Sequence, residues 1–123
     1  MSSLGALVWI ALGGACGSVC RALVGMAITS RFPVATLCVN VTGSLLIGWL
    51  MSRFGSTEPA ASARLLNILV VGFCGGFTTF SAFSWQTLDQ MLKGQWGAAV
   101  ANVLLSVTLC LVAVWLGFRL GRA

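Results

Sequence analysis

The sequence predicts an all-α integral membrane protein whose chain crosses the bilayer four times. Of its 123 residues, 59% are hydrophobic and 7% are charged, and the mean hydropathy is +1.01. A soluble domain usually carries charge on about a quarter of its residues, so lipid must be the main solvent of this chain. A helix needs about 20 apolar residues to cross a hydrocarbon core of about 30 Å. Four uncharged windows of about this length or longer separate the charges, at 2–20, 32–52, 65–88 and 94–118.

The charged residues stand mostly singly near the ends of these windows, and we expect one four-helix membrane domain over 1–123. The net charge is +5, but the basic residues form no patch of the kind that binds nucleic acid. With four crossings, Arg31 and Lys93 lie on one side of the membrane. The other side carries Arg53, Arg64, Arg119 and Arg122. Four cations against two is a weak orientation signal, so we expect that the chain inserts either way up.

On one face of the first predicted span, three glycines and an arginine recur at every fourth position. They are Gly13, Gly17, Arg21 and Gly25. Small residues four apart let a second helix approach closely. Arg21 has two interpretations that the sequence leaves open. It reaches the interface along its apolar stem, or it attracts anions at the mouth of a pore.

The second predicted span carries a polar stripe formed by Thr36, Asn40 and Ser44, with Gly48 next on the same face. Asn40 is its most informative member, because an amide without partners in hydrocarbon costs a few kcal/mol. Its side chain either joins two helices or presents its N–H donors to a passing ligand.

The third predicted span contains the unusual segment "GFCGGFTTFSAFS", residues 72–84. Gly72, Gly75 and Gly76 each weaken a helix by about 1 kcal/mol relative to alanine, and the hydroxyl side chains that follow can bind freed backbone groups. The segment predicts a helix that is broken near the middle of the membrane, where backbone carbonyls can bind a cation. A kinked packing helix is the alternative. Phe80 and Phe83 share a face. They either pack against neighbouring side chains or hold a small anion at their ring edges, which carry partial positive charge.

The remaining polar residues favour the binding of an anion over proton transfer or catalysis. Asn102, Ser106 and Cys110 form a stripe on the fourth span, while the chain has no histidine and its two acids, Glu58 and Asp89, lie outside the spans. Intramembrane Asp, Glu or His usually carries proton-coupled transport, and enzymatic catalysis needs a nucleophile–base pair. We therefore expect no enzyme and no proton antiporter. What remains is a set of hydrogen-bond donors without acids.

Three segments, "GGACGSVCR", "TLCVNVTGSLLIG" and above all "GFCGGFTTFSAFS", resemble the fluoride channel family called Fluc or CrcB. The resemblance covers nearly the whole chain. It implies an antiparallel, dual-topology homodimer with two pores in a prokaryotic inner membrane. It also implies passive export of fluoride, which relieves fluoride toxicity, and a structural Na⁺ at the centre of the dimer.

The resemblance also implies roles for particular residues. The Na⁺ ligands are the backbone carbonyls of Gly75 and Thr78, and Arg21 lies in the pore vestibule. In the fourth span, Asn102, Ser106 and Cys110 correspond to the family's polar stripe. The fluoride pathway corresponds to Asn40, Thr79, Phe80, Ser81, Phe83 and Ser106.

The chain departs from the family pattern at two positions. The family usually has threonine and glutamate where this chain has Ala82 and Gln86, which removes one hydroxyl and one acid. A small multidrug exporter is the alternative function; it requires an acid in the first span, where this chain has Arg21. A non-transporting accessory protein of the membrane is a third possibility.

Overall fold

The computed structural model describes residues 3–55 and 60–123, which consist of helices and the segments that join them. Glu58 and Pro59, which we assigned to a loop, lie outside the described residues. The elements follow the chain in the order α1 (Ser3–Ala27), α2 (Val34–Phe54), α3 (Ala60–Leu66), a π-helix (Asn67–Cys74), α4 (Gly75–Phe77), α5 (Phe80–Leu92) and α6 (Trp96–Arg122).

Four helical stretches are long and apolar enough to cross a membrane, as the uncharged windows predicted. They are Ser3–Ala27, Val34–Phe54, Ser62–Leu92 and Trp96–Arg122. All four extend past the windows into charged residues: α1 contains Arg21, α2 contains Arg53, the third stretch contains Arg64 and Asp89, and α6 ends at Arg122. Long basic side chains allow this because their heads reach the interface while their stems stay apolar. The expectation of a multi-pass, all-helical membrane protein is confirmed.

Glycines bring the helices together in two pairs, α1 with the third crossing and α2 with α6. A Cβ atom at Gly13 or Gly17 would overlap the backbone oxygen of Ile68 or Phe73. In the same way, a Cβ atom at Gly117 would overlap the backbone oxygen of Leu45. The helices of each pair run in the same direction, which agrees with four successive crossings. Gly25 makes no such contact, because a Cβ there would have no atom within 4 Å.

The third crossing changes its helical geometry along its length. It begins in α3, continues as the π-helix and then forms the short α4. The backbone is then extended at Thr78 (φ −84°, ψ 158°) and Thr79 (φ −152°, ψ 114°), and α5 begins at Phe80.

The glycines of this crossing do not occupy the extended positions. We expected them to weaken the helix, but Gly72 lies within the π-helix and Gly75 and Gly76 belong to α4. A Cβ at Gly72 would lie 3.0 Å from the Cα of Gly13, and one at Gly76 would lie 3.1 Å from the Cα of Gly14. These two glycines therefore serve the close approach to α1.

Replacing Gly117 by alanine is expected to destabilise the protein, because the new methyl group would overlap the backbone of α2. Overpacking of this kind costs roughly 1–3 kcal/mol. The measurement is the unfolding midpoint in a titration of mixed detergent micelles with SDS. Gly97→Ala is the matched control on the same helix, since no atom lies within 4 Å of a Cβ there. A Gly117→Ala midpoint equal to that of Gly97→Ala would contradict the close packing of α2 on α6.

Candidate functional site

The side chain of Asn40 holds the extended backbone at Thr79 through two hydrogen bonds. The Thr79 N–H donates to Asn40 Oδ1 at 2.7 Å, and Asn40 Nδ2 donates to the Thr79 carbonyl oxygen at 3.1 Å. The amide thus pairs with Thr79 as a neighbouring strand would. Of the two roles that the sequence left open for Asn40, joining two helices is the one that these bonds describe. One of its two Nδ2 hydrogens is not used by this pair.

Hydroxyl groups complete the hydrogen bonds around the extended residues. Thr79 Oγ1 accepts from the Ala82 N–H at 3.1 Å and so caps the N-terminus of α5. Ser81 Oγ lies 3.2 Å from Thr79 Oγ1. Thr78 Oγ1 donates to the Cys74 carbonyl at 2.8 Å. The side chains that follow the glycines therefore satisfy the local backbone.

Because of these bonds, two backbone N–H groups do not donate to the carbonyl oxygens that they would bind in a continuous helix. In an α-helix each carbonyl accepts from the N–H four residues later. The Thr79 N–H would serve the Gly75 carbonyl, but it donates to Asn40. The Ala82 N–H would serve the Thr78 carbonyl, but it donates to Thr79 Oγ1. The two carbonyls concerned are those predicted to bind Na⁺.

A cavity of about 620 Å³ collects most of the predicted site residues. They come from α2, α4, the extended segment, α5 and α6, and they are Asn40, Gly75, Thr78, Thr79, Phe80, Phe83 and Ser106. The rings of Phe80 and Phe83 lie 5.4 Å apart, centroid to centroid, with an angle of 49° between their planes. Their exposure differs sharply, because Phe80 is 78% exposed and Phe83 is 8% exposed. Phe83 is thus packed within the chain, and Phe80 projects from it.

Arg21 lies in a second cavity, of about 290 Å³, formed by α1, α2, α5 and the extended segment. Ser18, Thr36 and Thr79 also line it. The Nε atom of Arg21 is buried and has no hydrogen-bond partner among the residues that the structure describes. Thr79 lines both cavities, so the Asn40–Thr79 pair lies where the two approach each other. Ser81 lines neither of these two cavities.

A chain of hydrogen bonds links the fourth crossing to Phe83. Ser106 Oγ donates to Asn102 Oδ1 at 3.4 Å, and Asn102 Nδ2 donates to Thr87 Oγ1 at 2.8 Å. Thr87 Oγ1 in turn donates to the Phe83 carbonyl at 2.8 Å. Asn102 is only 1% exposed within the chain. Its partner was missed, although Thr87 lies four residues after Phe83 on the same face of the helix.

The two departures from the family pattern have distinct surroundings. Ala82 lines the cavity that contains Arg21, so a methyl group stands there in place of a hydroxyl. The Oε1 atom of Gln86 is buried and has no hydrogen-bond partner in the described part of the chain. Amide replaces acid at that position, and the neutral side chain avoids the cost of a buried charge.

Comparison with known proteins identifies the family of this chain. The family model described as "CrcB-like protein, Camphor Resistance (CrcB)" matches residues 8–118. The chain belongs to the CrcB family. The matched range contains every candidate site residue named above, and it confirms the resemblance carried by the three sequence motifs.

Curated CrcB relatives match the chain over most of its length. A protein of Solibacter usitatus is 48% identical over 118 residues, which is 92% of this chain and 95% of the relative. One from Opitutus terrae is 48% identical over 120 residues, covering 89% and 87% of the two chains. One from Magnetococcus marinus is 42% identical over 120 residues, covering 94% and 97%. All three are named fluoride-specific ion channel FluC.

Replacing Asn40 by leucine is expected to destabilise the protein, because it leaves the Thr79 N–H and carbonyl without the partners that Asn40 supplies. A buried polar group that loses its partner costs about 1–3 kcal/mol. The unfolding midpoint in SDS measures the loss. Ser44→Ala is the control, since Ser44 lines the same cavity one turn further along α2. Equal midpoints for Asn40→Leu and Ser44→Ala would contradict the structural role of the amide.

Proposed function

We propose that this protein is a fluoride-selective passive channel that exports fluoride across a prokaryotic inner membrane and so relieves fluoride toxicity. The names of its CrcB relatives support the ion. The observation that carries the proposal is the content of the larger cavity, where an amide, hydroxyl groups and two aromatic rings meet and no acid among the described residues contributes to the lining. A negative-inside potential drives an anion outward by about 2.3 kcal/mol per 100 mV, so export needs no energy coupling.

The cavity offers a small anion several weak partners in place of its water. Asn40 keeps one Nδ2 hydrogen beyond its bond to Thr79. The edges of the Phe80 and Phe83 rings carry partial positive charge. The Thr79 hydroxyl, which lines the cavity, can turn its hydrogen toward an ion, because Ser81 Oγ can be the donor in the contact between the two hydroxyls. The absence of carboxylate groups from the lining avoids repulsion of the anion.

The proposed path runs from the Arg21 cavity past Thr79 to the phenylalanines. The guanidinium of Arg21 raises the local concentration of anions, and its buried Nε has a free donor. Thr79 lines both cavities, so an anion that leaves Arg21 meets this hydroxyl before the rings. Ser106, on the far wall of the larger cavity, is fixed by Asn102 and Thr87.

The carbonyls of Gly75 and Thr78 suit the proposed structural Na⁺. Both have lost the donors that an uninterrupted helix would supply, and both residues line the larger cavity. Carbonyl oxygens of this kind replace the water of a bound cation. The ion would supply positive charge beside an anion path and hold the interrupted crossing in place. We propose that this interruption lies near the centre of the membrane.

An antiparallel homodimer with two pores is the assembly that we propose. Gly75 is exposed, and a Cβ added there would have no atom within 4 Å in one chain. Phe80 is also exposed, and both residues line the larger cavity. A second, inverted chain would cover both and bring its own carbonyls to the ion. The weak charge bias allows both orientations in the membrane.

The alternative of a multidrug exporter is not favoured, because Arg21 occupies the first crossing where such a protein needs an acid. An accessory protein without transport activity would not need the polar lining of the two cavities. The family relatives are named as channels, not as enzymes, and the sequence offers no nucleophile–base pair.

Liposomes that contain the purified protein are expected to release fluoride when valinomycin carries K⁺ out to balance the charge, and to retain chloride. Ion-selective electrodes measure both.

Phe80→Ile is expected to lower the fluoride rate at least tenfold, because it removes a ring that makes few contacts within the chain. Leu111→Ile is the control, since it alters the wall of the same cavity without removing a ring.

Equal release of fluoride and chloride would refute the proposed selectivity. An unchanged fluoride rate in a folded Phe80→Ile protein would show that the ring takes no part in conduction.

Gly75→Leu is expected to convert the dimer to monomers without unfolding the chain. A side chain at Gly75 has open space in one chain, but it would fill the place of the inverted partner. Size-exclusion chromatography with light scattering measures the mass of the protein in detergent. Gly97→Leu is the control, because Gly97 has equally open space and lies at the start of α6. A dimer that survives Gly75→Leu would place the interface elsewhere.

A further inference from the structure

An apolar groove of about 430 Å³ runs between α2 and α6, toward the ends of the two helices. Its lining is wholly apolar and comes from three residues of each helix. These residues are Ile47, Gly48, Met51, Val114, Trp115 and Phe118. None of them belongs to the predicted fluoride pathway. Ile47 also lines the larger cavity, so the groove adjoins that cavity and extends from it toward the ends of α2 and α6.

Two arginines lie over the walls of this groove. The Cζ atom of Arg119 is 5.7 Å from the ring centroid of Trp115, and that of Arg122 is 4.9 Å from the centroid of Phe118. Cation–π contacts of this geometry hold a guanidinium in place without using its N–H donors. Both residues are exposed. The groove thus has two accessible cations at one end, each over the ring of a groove residue.

The end of α2 adds a third positive charge. Arg53 lies in the last turn of α2, and a Cβ at Gly121 would lie 2.7 Å from the Cβ of Ser52. The last turns of α2 and α6 are therefore adjacent. Asp89 lies on α5, where it pairs with Lys93 at 2.6 Å. The sequence places one acid, Glu58, on the arginine side, against four arginines.

We propose that the groove binds one phospholipid with an anionic headgroup. The acyl chain lies along the apolar wall, and the headgroup phosphate accepts hydrogen bonds from Arg119 and Arg122. A second copy of the chain fits less well. An inverted copy would bring the end that carries Arg31 and the Asp89–Lys93 pair to the arginines, and a parallel copy would bring arginine to arginine. Either contact places like charges together, whereas an anionic lipid complements them.

Native mass spectrometry of the detergent-purified protein tests the headgroup contact. Dioleoylphosphatidylglycerol and dioleoylphosphatidylcholine are titrated separately, and the lipid-bound fraction is counted. We expect the phosphatidylglycerol to bind more tightly. A basic residue near anionic lipid contributes about 1 kcal/mol, so Arg119→Gln should weaken its binding about fivefold. Arg31→Gln removes the same charge at the opposite end and should change nothing. Equal binding of the two lipids, or equal loss in both variants, would overturn the proposal.

Met51→Trp tests the groove itself, because Met51 is 47% exposed and a larger ring there fills the space without removing a charge. We expect it to weaken phosphatidylglycerol binding while the mass of the oligomer stays unchanged. Unchanged lipid binding in a folded Met51→Trp protein would place the acyl chain elsewhere and overturn the proposal. Loss of the dimer in this variant would show instead that a second copy covers the groove.

Discussion

The pairing of the Asn40 amide with the backbone of Thr79 is the contact on which the site depends. Its two hydrogen bonds, at 2.7 and 3.1 Å, satisfy a peptide N–H and a carbonyl that have left the helix. Backbone groups at membrane depth find no water, and each unsatisfied one costs several kcal/mol. The Asn40–Thr79 pair offsets this cost for the extended residue. It thereby determines where α4 ends and where α5 begins.

The remaining features of the site follow from that pairing. Thr79 Oγ1 is placed to cap α5, which orients Phe80 and Phe83 on its first turns. The carbonyls of Gly75 and Thr78 lose their helical donors because those donors are used by side chains. Thr79 also lines both cavities. The proposed cation ligands, the aromatic rings and the path from the Arg21 cavity all depend on the same local backbone. The amide of Asn40 holds that backbone in place.

Individual residues show how far sequence reasoning reached and where it stopped. The spacing of Gly13 and Gly17 predicted a close helix contact, and both glycines meet the backbone of the third crossing. The same spacing grouped Gly25 with them, although no neighbouring helix among the described residues comes within 4 Å of a Cβ at that position. The stripe of Asn102, Ser106 and Cys110 did not predict that Asn102 is buried against Thr87. Spacing reveals which residues share a helical face, but it does not reveal which neighbour that face meets.

The sequence by itself determined the number of crossings, the membrane environment, the family and the residue types available for chemistry, because these follow from composition, charge spacing and local motifs. Only the tertiary structure decided that the extended backbone falls on Thr78 and Thr79 and not on the glycines. That position depends on Asn40, which is 39 residues away along the chain. A hydrogen bond between distant residues forms only when packing brings them together, so no local pattern encodes it.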